Sequence, residues 1–246
     1  MEFFGKKIES NKSLIAVLID PDKTSEHSAL QNLVKKIEFA NIDFIFIGGS
    51  SVKEEDFNRC LDNLKAITKV PVVIFPGGPS QVSLKADGML LLSLISGRNP
   101  DYLIGHHVQS APKLKELKEK LLPTGYILLD GGNNSAVAYI SQTSPIPQSN
   151  PEIAVNTAIA GELLGLKAIF IDAGSGAHHS ANENLIKRLR SEINVPLIVG
   201  GGVKSIERIQ ELENAGADII VIGNKIEEDI DFLLDIASIR TTKINE

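Results

Sequence analysis

Short, almost continuously apolar runs recur along the whole chain, each followed by a segment whose apolar residues return every three or four positions. The runs are Leu14–Ile19, Asp43–Ile47, Val70–Phe75, Gly88–Leu92, Gly125–Leu129, Ala168–Ile171, Pro196–Val199 and Asp218–Ile222. They are rich in β-branched residues and lack the alternation of a half-exposed sheet, as parallel strands buried on both faces do. Between them, Leu30, Leu33, Val34 and Ile37 form one helical stripe, and Ile226, Ile230, Leu233 and Ala237 another. Gly216 follows "IERIQELENA", where a left-handed helix cap is expected.

Eight such units with no leftover segment predict an α/β fold, a single-domain (β/α)8 TIM-type barrel spanning residues 1–246. A doubly wound open sheet is the competing arrangement. It would place its dominant glycine turn after the first strand, whereas the glycine turns here cluster late. One irregular stretch, "SQTSPIPQSNPE" (Ser141–Glu152), carries three prolines after the fifth strand. It reads equally as a lid over the site or as a stiff surface connection.

The 246 residues are 43% hydrophobic, enough for one large core. A net charge of −6 with no basic block speaks against nucleic acid or a polybasic membrane surface. The single cysteine, Cys60, excludes a disulfide framework and is expected in packing. The N-terminal "MEFFGKKIESNK" has no apolar core of a signal peptide, and no apolar run reaches the ~18 residues of a membrane span. A cytoplasmic protein is expected.

Barrel chemistry sits at the C-terminal ends of strands. Those ends here read "LIDPDK", "IGGSS", "FPGGPS", "IDAGSGA", "VGGGV" and "VIGN". Glycine turns after strands seven and eight make the recurrent barrel phosphate site, with Gly201 and Gly202 from one loop and Gly223 and Asn224 from the other. In "DAGSG" the small residues admit a phosphate beside Ser175 and Gly176, leaving Asp172 within reach of a hydroxyl as general base. Asp172 could instead pair with a barrel lysine, and Asp20 could simply cap an Asp-Pro turn. The pairs His106–His107 and His178–His179 are expected on surface loops, because adjacent side chains diverge and do not converge on a metal.

In order along the chain, "LIDPD", "IGGS", "FPGG", "GYILLDGG", "FIDAGSGA", "VGGGV" and "VIGN" resemble the geranylgeranylglyceryl phosphate synthases and their bacterial heptaprenyl relatives, over about Leu18 to Asn224. The proline loop resembles the longer branch of that family. The resemblance implies a Mg2+-dependent prenyltransferase that joins sn-glycerol 1-phosphate to a polyprenyl (geranylgeranyl) diphosphate, forming an ether lipid precursor and diphosphate. It puts the Mg2+ ligands on Asp20 and Ser50, and catalysis on Asp172. Glycerol phosphate would meet Phe170, Ile171, Asp172, Ala173, Gly174, Ser175 and Gly176, then Gly201, Gly202, Gly223 and Asn224. A homo-oligomer, dimer or hexamer, is also implied.

Two departures stand out. The family's motif begins Tyr-Leu-Glu, and this chain has Phe170, Ile171 and Asp172. A hydroxyl is lost, and the acid is one methylene shorter. The shorter branch has a lysine two residues before the first Asp, where Leu18 stands; the longer branch lacks it too. The alternatives are another phosphate-binding barrel enzyme (a phosphosugar isomerase using Asp20 and Asp130 as opposed carboxylates, a thiamine-phosphate-type synthase or a flavin enzyme) and a non-catalytic phospholigand-binding barrel.

Overall fold

Each of the eight apolar runs forms a parallel strand: β1 (Leu14–Ile19), β2 (Phe44–Ile47), β3 (Val72–Ile74), β4 (Gly88–Leu94), β5 (Leu121–Leu128), β6 (Ala168–Asp172), β7 (Leu197–Gly200) and β8 (Ile219–Ile222). The computed structural model describes residues 13–24 and 27–242. Neighbouring strands pair in sequence order, and β1 pairs with β8 from Leu14↔Ile219 to Val17↔Ile222. The sheet is therefore a closed barrel, and the open doubly wound arrangement is excluded.

Successive side chains of a strand point to opposite faces. Along β1, Leu14 and Ala16 point into the barrel, while Ile15 and Val17 pack outward against helices. The inner set also holds Phe44, Phe46, Tyr126 and Phe170. The helices are α1 (His27–Phe39), α2 (Glu54–Ile67), α3 (His106–Glu116), α4 (Ala136–Ser141), α5 (Pro151–Leu163), α6 (Glu183–Glu192), α7 (Ile206–Ala215), α8 (Asn224–Glu228) and α9 (Phe232–Thr242). In α1 the expected stripe buries Leu30, Val34 and Ile37. Helix α7 is capped by Ser205 Oγ, which accepts from Arg208 N at 3.2 Å, and ends at Gly216 with φ +100°. Cys60 is buried in α2, and burial pushes its thiol up to about 11.

The structure corrects the expected pattern at two places. Strand β3 is followed by no helix: residues 75–87 run as a loop to β4, because Pro76, Gly77, Gly78 and Pro79 leave no stretch able to propagate one. The last helical stripe is broken into α8 and α9. Asp229 Oδ1 accepts Asp231 N at 3.0 Å, a side-chain turn that competes with helical bonding.

The proline loop is tied to the barrel as a connection would be. Ile146 pairs in parallel with Leu129 and exchanges two 2.9 Å hydrogen bonds with Leu128 O and Asp130 N. Gln148 then ties the loop to Asp130 O and Asn182 N, each at 2.9 Å. No helix among the described residues is long and apolar enough to cross a membrane. The N-terminal stretch without a signal-peptide pattern, residues 1–12, lies outside the described residues.

Candidate active site

The inward side-chain sets continue past the strand ends and define the site. Two positions beyond Leu18 comes Asp20, two beyond Phe170 comes Asp172, and two beyond Val221 comes Gly223. All three border one cavity of about 380 Å3 at the C-terminal mouth of the barrel, together with Ser50, Gly201 and Asn224.

At the β1 corner, Asp20 Oδ1 accepts Asp22 N at 3.1 Å and caps the short 3-10 turn Pro21–Lys23. Its turn-capping role is thus real, but it occupies one oxygen only. Oδ2 lies 3.8 Å from Lys23 Nζ. The β2 loop closes in from the side: a Cβ on Gly49 would come within 3.2 Å of Asp20 Oδ1, which brings the neighbouring Ser50 to the same corner. Gln81, buried, fixes this loop by accepting from Gly77 N at 3.1 Å and donating to Gly49 O at 2.8 Å.

At the β6 corner, the carboxylate of Asp172 is held at both oxygens. Gly174 N donates to Oδ1 at 2.8 Å, and the Tyr126 hydroxyl donates to Oδ2. Burial raises the Asp172 carboxyl above the ordinary aspartate value, and these two hydrogen bonds oppose it. Burial and the neighbouring carboxylate raise the Tyr126 hydroxyl well above a free tyrosine. Gly201 lies against this pair with φ +80°; a Cβ there would stand 2.7 Å from Asp172 Oδ1 and 2.8 Å from Ala173 N and Gly174 N.

The β6 and β8 loops are joined by Asn224. Its Oδ1 accepts from Ser175 Oγ at 3.1 Å and from Gly176 N at 2.8 Å, while Nδ2 faces Glu227 Oε2 at 3.5 Å. Asn133 Nδ2 supports the same loop from behind by donating to Ser175 O at 2.9 Å. At Gly223 the space is open, since a Cβ would meet nothing nearer than Leu18 at 3.6 Å. The opposite wall is apolar, with Leu92, Leu94, Tyr102, Leu114, Val137 and Ile140.

Of the motif residues Phe170 to Gly176, the cavity is bordered by Phe170, Asp172, Ser175 and Gly176. The expectation that all seven meet a ligand is corrected at three. Ile171 is fully buried in the outer core, and Ala173, just past the end of β6, is buried as well and does not border the cavity. Gly174 spends its N–H on Asp172 and would strike Ser135 Cβ, at 2.8 Å, if it carried a Cβ. Phe170 is an aromatic support, its ring 5.5 Å from Tyr126 and 5.3 Å from Phe75.

Asp130 does not oppose Asp20. It is exposed, accepts Gly132 N at 2.9 Å, and borders a separate outer recess with His178 and His179. His106 and His107 are not surface-loop residues. They open α3 and face the cavity, with His107 Nε2 2.8 Å from Leu92 O and the His106 ring 4.7 Å from Tyr102. Burial lowers His106 below the ordinary histidine value, which favours its neutral form.

Tyr126, Lys23 and Glu227 were not legible as site residues. Lys23 Nζ lies 2.7 Å from Glu227 Oε2. Partial burial works against the ammonium, but the Glu227 hydrogen bond and charge, with Asp20, outweigh it and raise its pKa.

A profile of the PcrB family matches residues 7–241. The geranylgeranylglyceryl phosphate synthase of Chitinophaga pinensis is 47% identical over 235 residues, 96% of this chain and 92% of that one. The enzyme of the same name from Korarchaeum cryptofilum is 34% identical over 96% of this chain and 95% of its own. The crystal structure of (S)-3-O-geranylgeranylglyceryl phosphate synthase from Thermoplasma acidophilum, in complex with substrate sn-glycerol-1-phosphate, superposes with a TM-score of 0.86 at 30% identity, covering 96% of this chain and 94% of that one. With the profile and these relatives spanning nearly its whole length, the chain belongs to the PcrB family.

Proposed function

We propose that the protein is a prenyltransferase that joins sn-glycerol 1-phosphate to a polyprenyl diphosphate through an ether bond and releases diphosphate. The observation that carries this reading is the placement of Asp172. A carboxylate held at both oxygens stands between a polar loop of Ser175, Gly176 and Asn224 and the corner of Asp20, in a cavity whose far wall is apolar. The names of the relatives support glycerol phosphate as acceptor and a geranylgeranyl chain as donor.

The phosphate of the acceptor is assigned to the loops of Ser175–Gly176, Gly201–Gly202 and Gly223–Asn224, where glycine turns and the open space at Gly223 suit an anion. That fixes the glycerol hydroxyl toward Asp172. As the hydroxyl oxygen bonds to the allylic carbon, the carbon–oxygen bond to diphosphate breaks and the proton passes to the Asp172 carboxylate. A base whose pKa is raised by burial binds that proton more firmly than a solvated aspartate. The apolar wall accommodates the prenyl chain and keeps water from the allylic centre.

Among the described residues no three His, Cys, Asp or Glu cluster as a metal cage. Asp20 Oδ2, which faces Lys23 Nζ at 3.8 Å, and the Ser50 hydroxyl suit Mg2+, which keeps waters and takes one or two protein ligands beside substrate phosphates. Asp20 and Ser50 would hold the ion, and it would neutralise charge on the departing diphosphate. A cytoplasmic setting and a homo-oligomer, dimer or hexamer, go with this reading.

The isomerase alternative loses Asp130 as the partner of Asp20, since Asp130 lies outside the cavity. Incubation with Mg2+, sn-glycerol 1-phosphate and a ladder of prenyl diphosphates, with mass detection of the ether, tests the proposal. An ether product is expected with a preferred chain length. No ether from any donor, with glycerol phosphate still bound, would leave only the binding-barrel reading.

A further inference from the structure

Lys23 has no part in the reaction as described, yet its side chain borders the cavity beside Asp20. Its ammonium spans the seam where the barrel closes. On the β1 side Asp20 Oδ2 is 3.8 Å away; on the β8 side Glu227 Oε2 is 2.7 Å away. Glu227 in turn faces Asn224 Nδ2 at 3.5 Å, so the ammonium is aimed from the same loop that holds Ser175 and Gly176. The simplest role, a staple between β1 and β8, is weak: Lys23 is 48% exposed, and screened pairs of this kind add little to stability. The seam is already closed by the β1–β8 ladder.

The other lysines on the cavity border are placed differently. Lys225 is engaged by Asp229 Oδ2 at 3.2 Å and lies over the Phe232 ring. Lys204 follows Gly202 at the β7 loop, on the phosphate side. Lys23 is the cation at the Asp20 corner. An ammonium has three N–H donors. Glu227 takes one at close range, and the rest are available to an anion in the cavity without Lys23 leaving its partner.

We propose that Lys23 is a further catalytic residue that binds the departing diphosphate beside Asp20, and that Glu227 is the positioning residue that holds its ammonium there. This rests on the prenyltransferase reading. When the allylic carbon–oxygen bond breaks, its electron pair stays on the diphosphate oxygen, and the new negative charge meets the Lys23 ammonium. No proton transfer is needed. Glu227 keeps the ammonium fixed before the charge develops, so no side chain has to reorganise during the step.

The test uses inorganic diphosphate as probe, by calorimetry on the full chain, with Mg2+ and separately in EDTA. Lys23→Met should weaken diphosphate binding about tenfold or more in both conditions while sn-glycerol 1-phosphate binds as in wild type, which also shows that the site is folded. Lys23→Arg should restore most of the binding. Glu227→Gln should weaken diphosphate less than Lys23→Met and lower kcat more than it raises KM for the prenyl donor. Unchanged diphosphate binding by Lys23→Met overturns the proposal, even if turnover falls. Lys23-dependent diphosphate binding by a protein that forms no ether from any donor would instead sink the prenyltransferase reading and leave this anion site standing. Wild type that fails to bind diphosphate overturns the role of Lys23, while the ether assay decides the prenyltransferase reading on its own.

Discussion

Tyr126 pairs with Phe170 across the β5–β6 ladder, and its hydroxyl reaches past that partner to donate to Asp172 Oδ2. The ring is wedged edge-on against Phe170 at 5.5 Å and against Phe75 at 6.1 Å, so the hydroxyl has one place to be. A hydrogen bond to a charged group contributes about 1.5–3 kcal/mol. Tyr126→Phe keeps the packing and removes only that bond. It should lower kcat/KM by about 10- to 100-fold with sn-glycerol 1-phosphate binding little changed. The hydroxyl also opposes the upward push of burial on Asp172. Its removal should therefore move the acidic limb of the kcat/KM profile to higher pH. A limb that stays in place would show that Tyr126 does not touch the working base.

Asp172→Asn removes the proton acceptor and should cut turnover by about 10^2–10^4. Its stability should move the other way. A raised pKa means that the folded protein holds the Asp172 proton more tightly than the unfolded chain does. The carboxylate therefore costs folding free energy that is absent below the unfolded aspartate pKa, grows as pH rises through the folded pKa, and persists above it. At neutral pH, thermal melts should find Asp172→Asn at least as stable as wild type. Near-normal turnover would place the base elsewhere.

The strands were readable because barrel strands buried on both faces are apolar throughout, and nothing else in the chain is. The missing helix after β3 was equally written in "FPGGPS", where two prolines bracket two glycines, but eight strands invited eight helices. Asp20 and Asp172 could be found because they close apolar runs. The block Phe170–Gly176 could not be divided by motif alone. Strand alternation turns Ile171 outward while Asp172 faces in. Asp130 could oppose Asp20 by sequence, but in the barrel it is exposed and borders the outer recess. The pairing of Tyr126 with Asp172 spans 46 residues, and Lys23 and Glu227 stand 204 residues apart. Such pairs exist only once the barrel closes.

Gly223 differs from its neighbours in leaving room. A Cβ there would meet Leu18 at 3.6 and 3.7 Å, ordinary contact, yet it would stand over the assigned phosphate position. Gly223→Ala should raise KM for sn-glycerol 1-phosphate several-fold, with a smaller effect on kcat. The same anchoring predicts that sn-glycerol 1-phosphate reacts much faster than the 3-phosphate. Steady-state rates with the two enantiomers check it, and comparable rates would remove the phosphate from these loops.

Gly201 has no such room. With φ +80°, any other residue pays ~1–2 kcal/mol for the left-handed backbone, and its Cβ would stand 2.7 Å from Asp172 Oδ1. Gly201→Ala should lower the melting temperature by several degrees. Well below that temperature it should still lose activity, because the carboxylate is displaced. Activity tracking stability alone would mean that Asp172 tolerates the shift.

Asp172→Glu asks whether this site has adjusted to the shorter acid. The resemblance puts glutamate here, and an extra methylene carries the oxygens up to ~1.5 Å further. In this barrel both oxygens already have partners at the aspartate position: Gly174 N at 2.8 Å on one side and the Tyr126 hydroxyl on the other. Glutamate would have to give up one of them, and Gly201 backs the Oδ1 side closely. A misplacement of ~1 Å at the reacting atoms can cost about 10^2-fold in rate. Asp172→Glu should therefore retain glycerol phosphate binding but lose one to two orders of magnitude in kcat, on the order of that misplacement. The acidic limb of its pH profile should change as well, because the Tyr126 and Gly174 hydrogen bonds that oppose burial are no longer both made. Activity equal to or above wild type would show that the backbone accommodates either acid, and that the double hold on Asp172 is not what sets the rate.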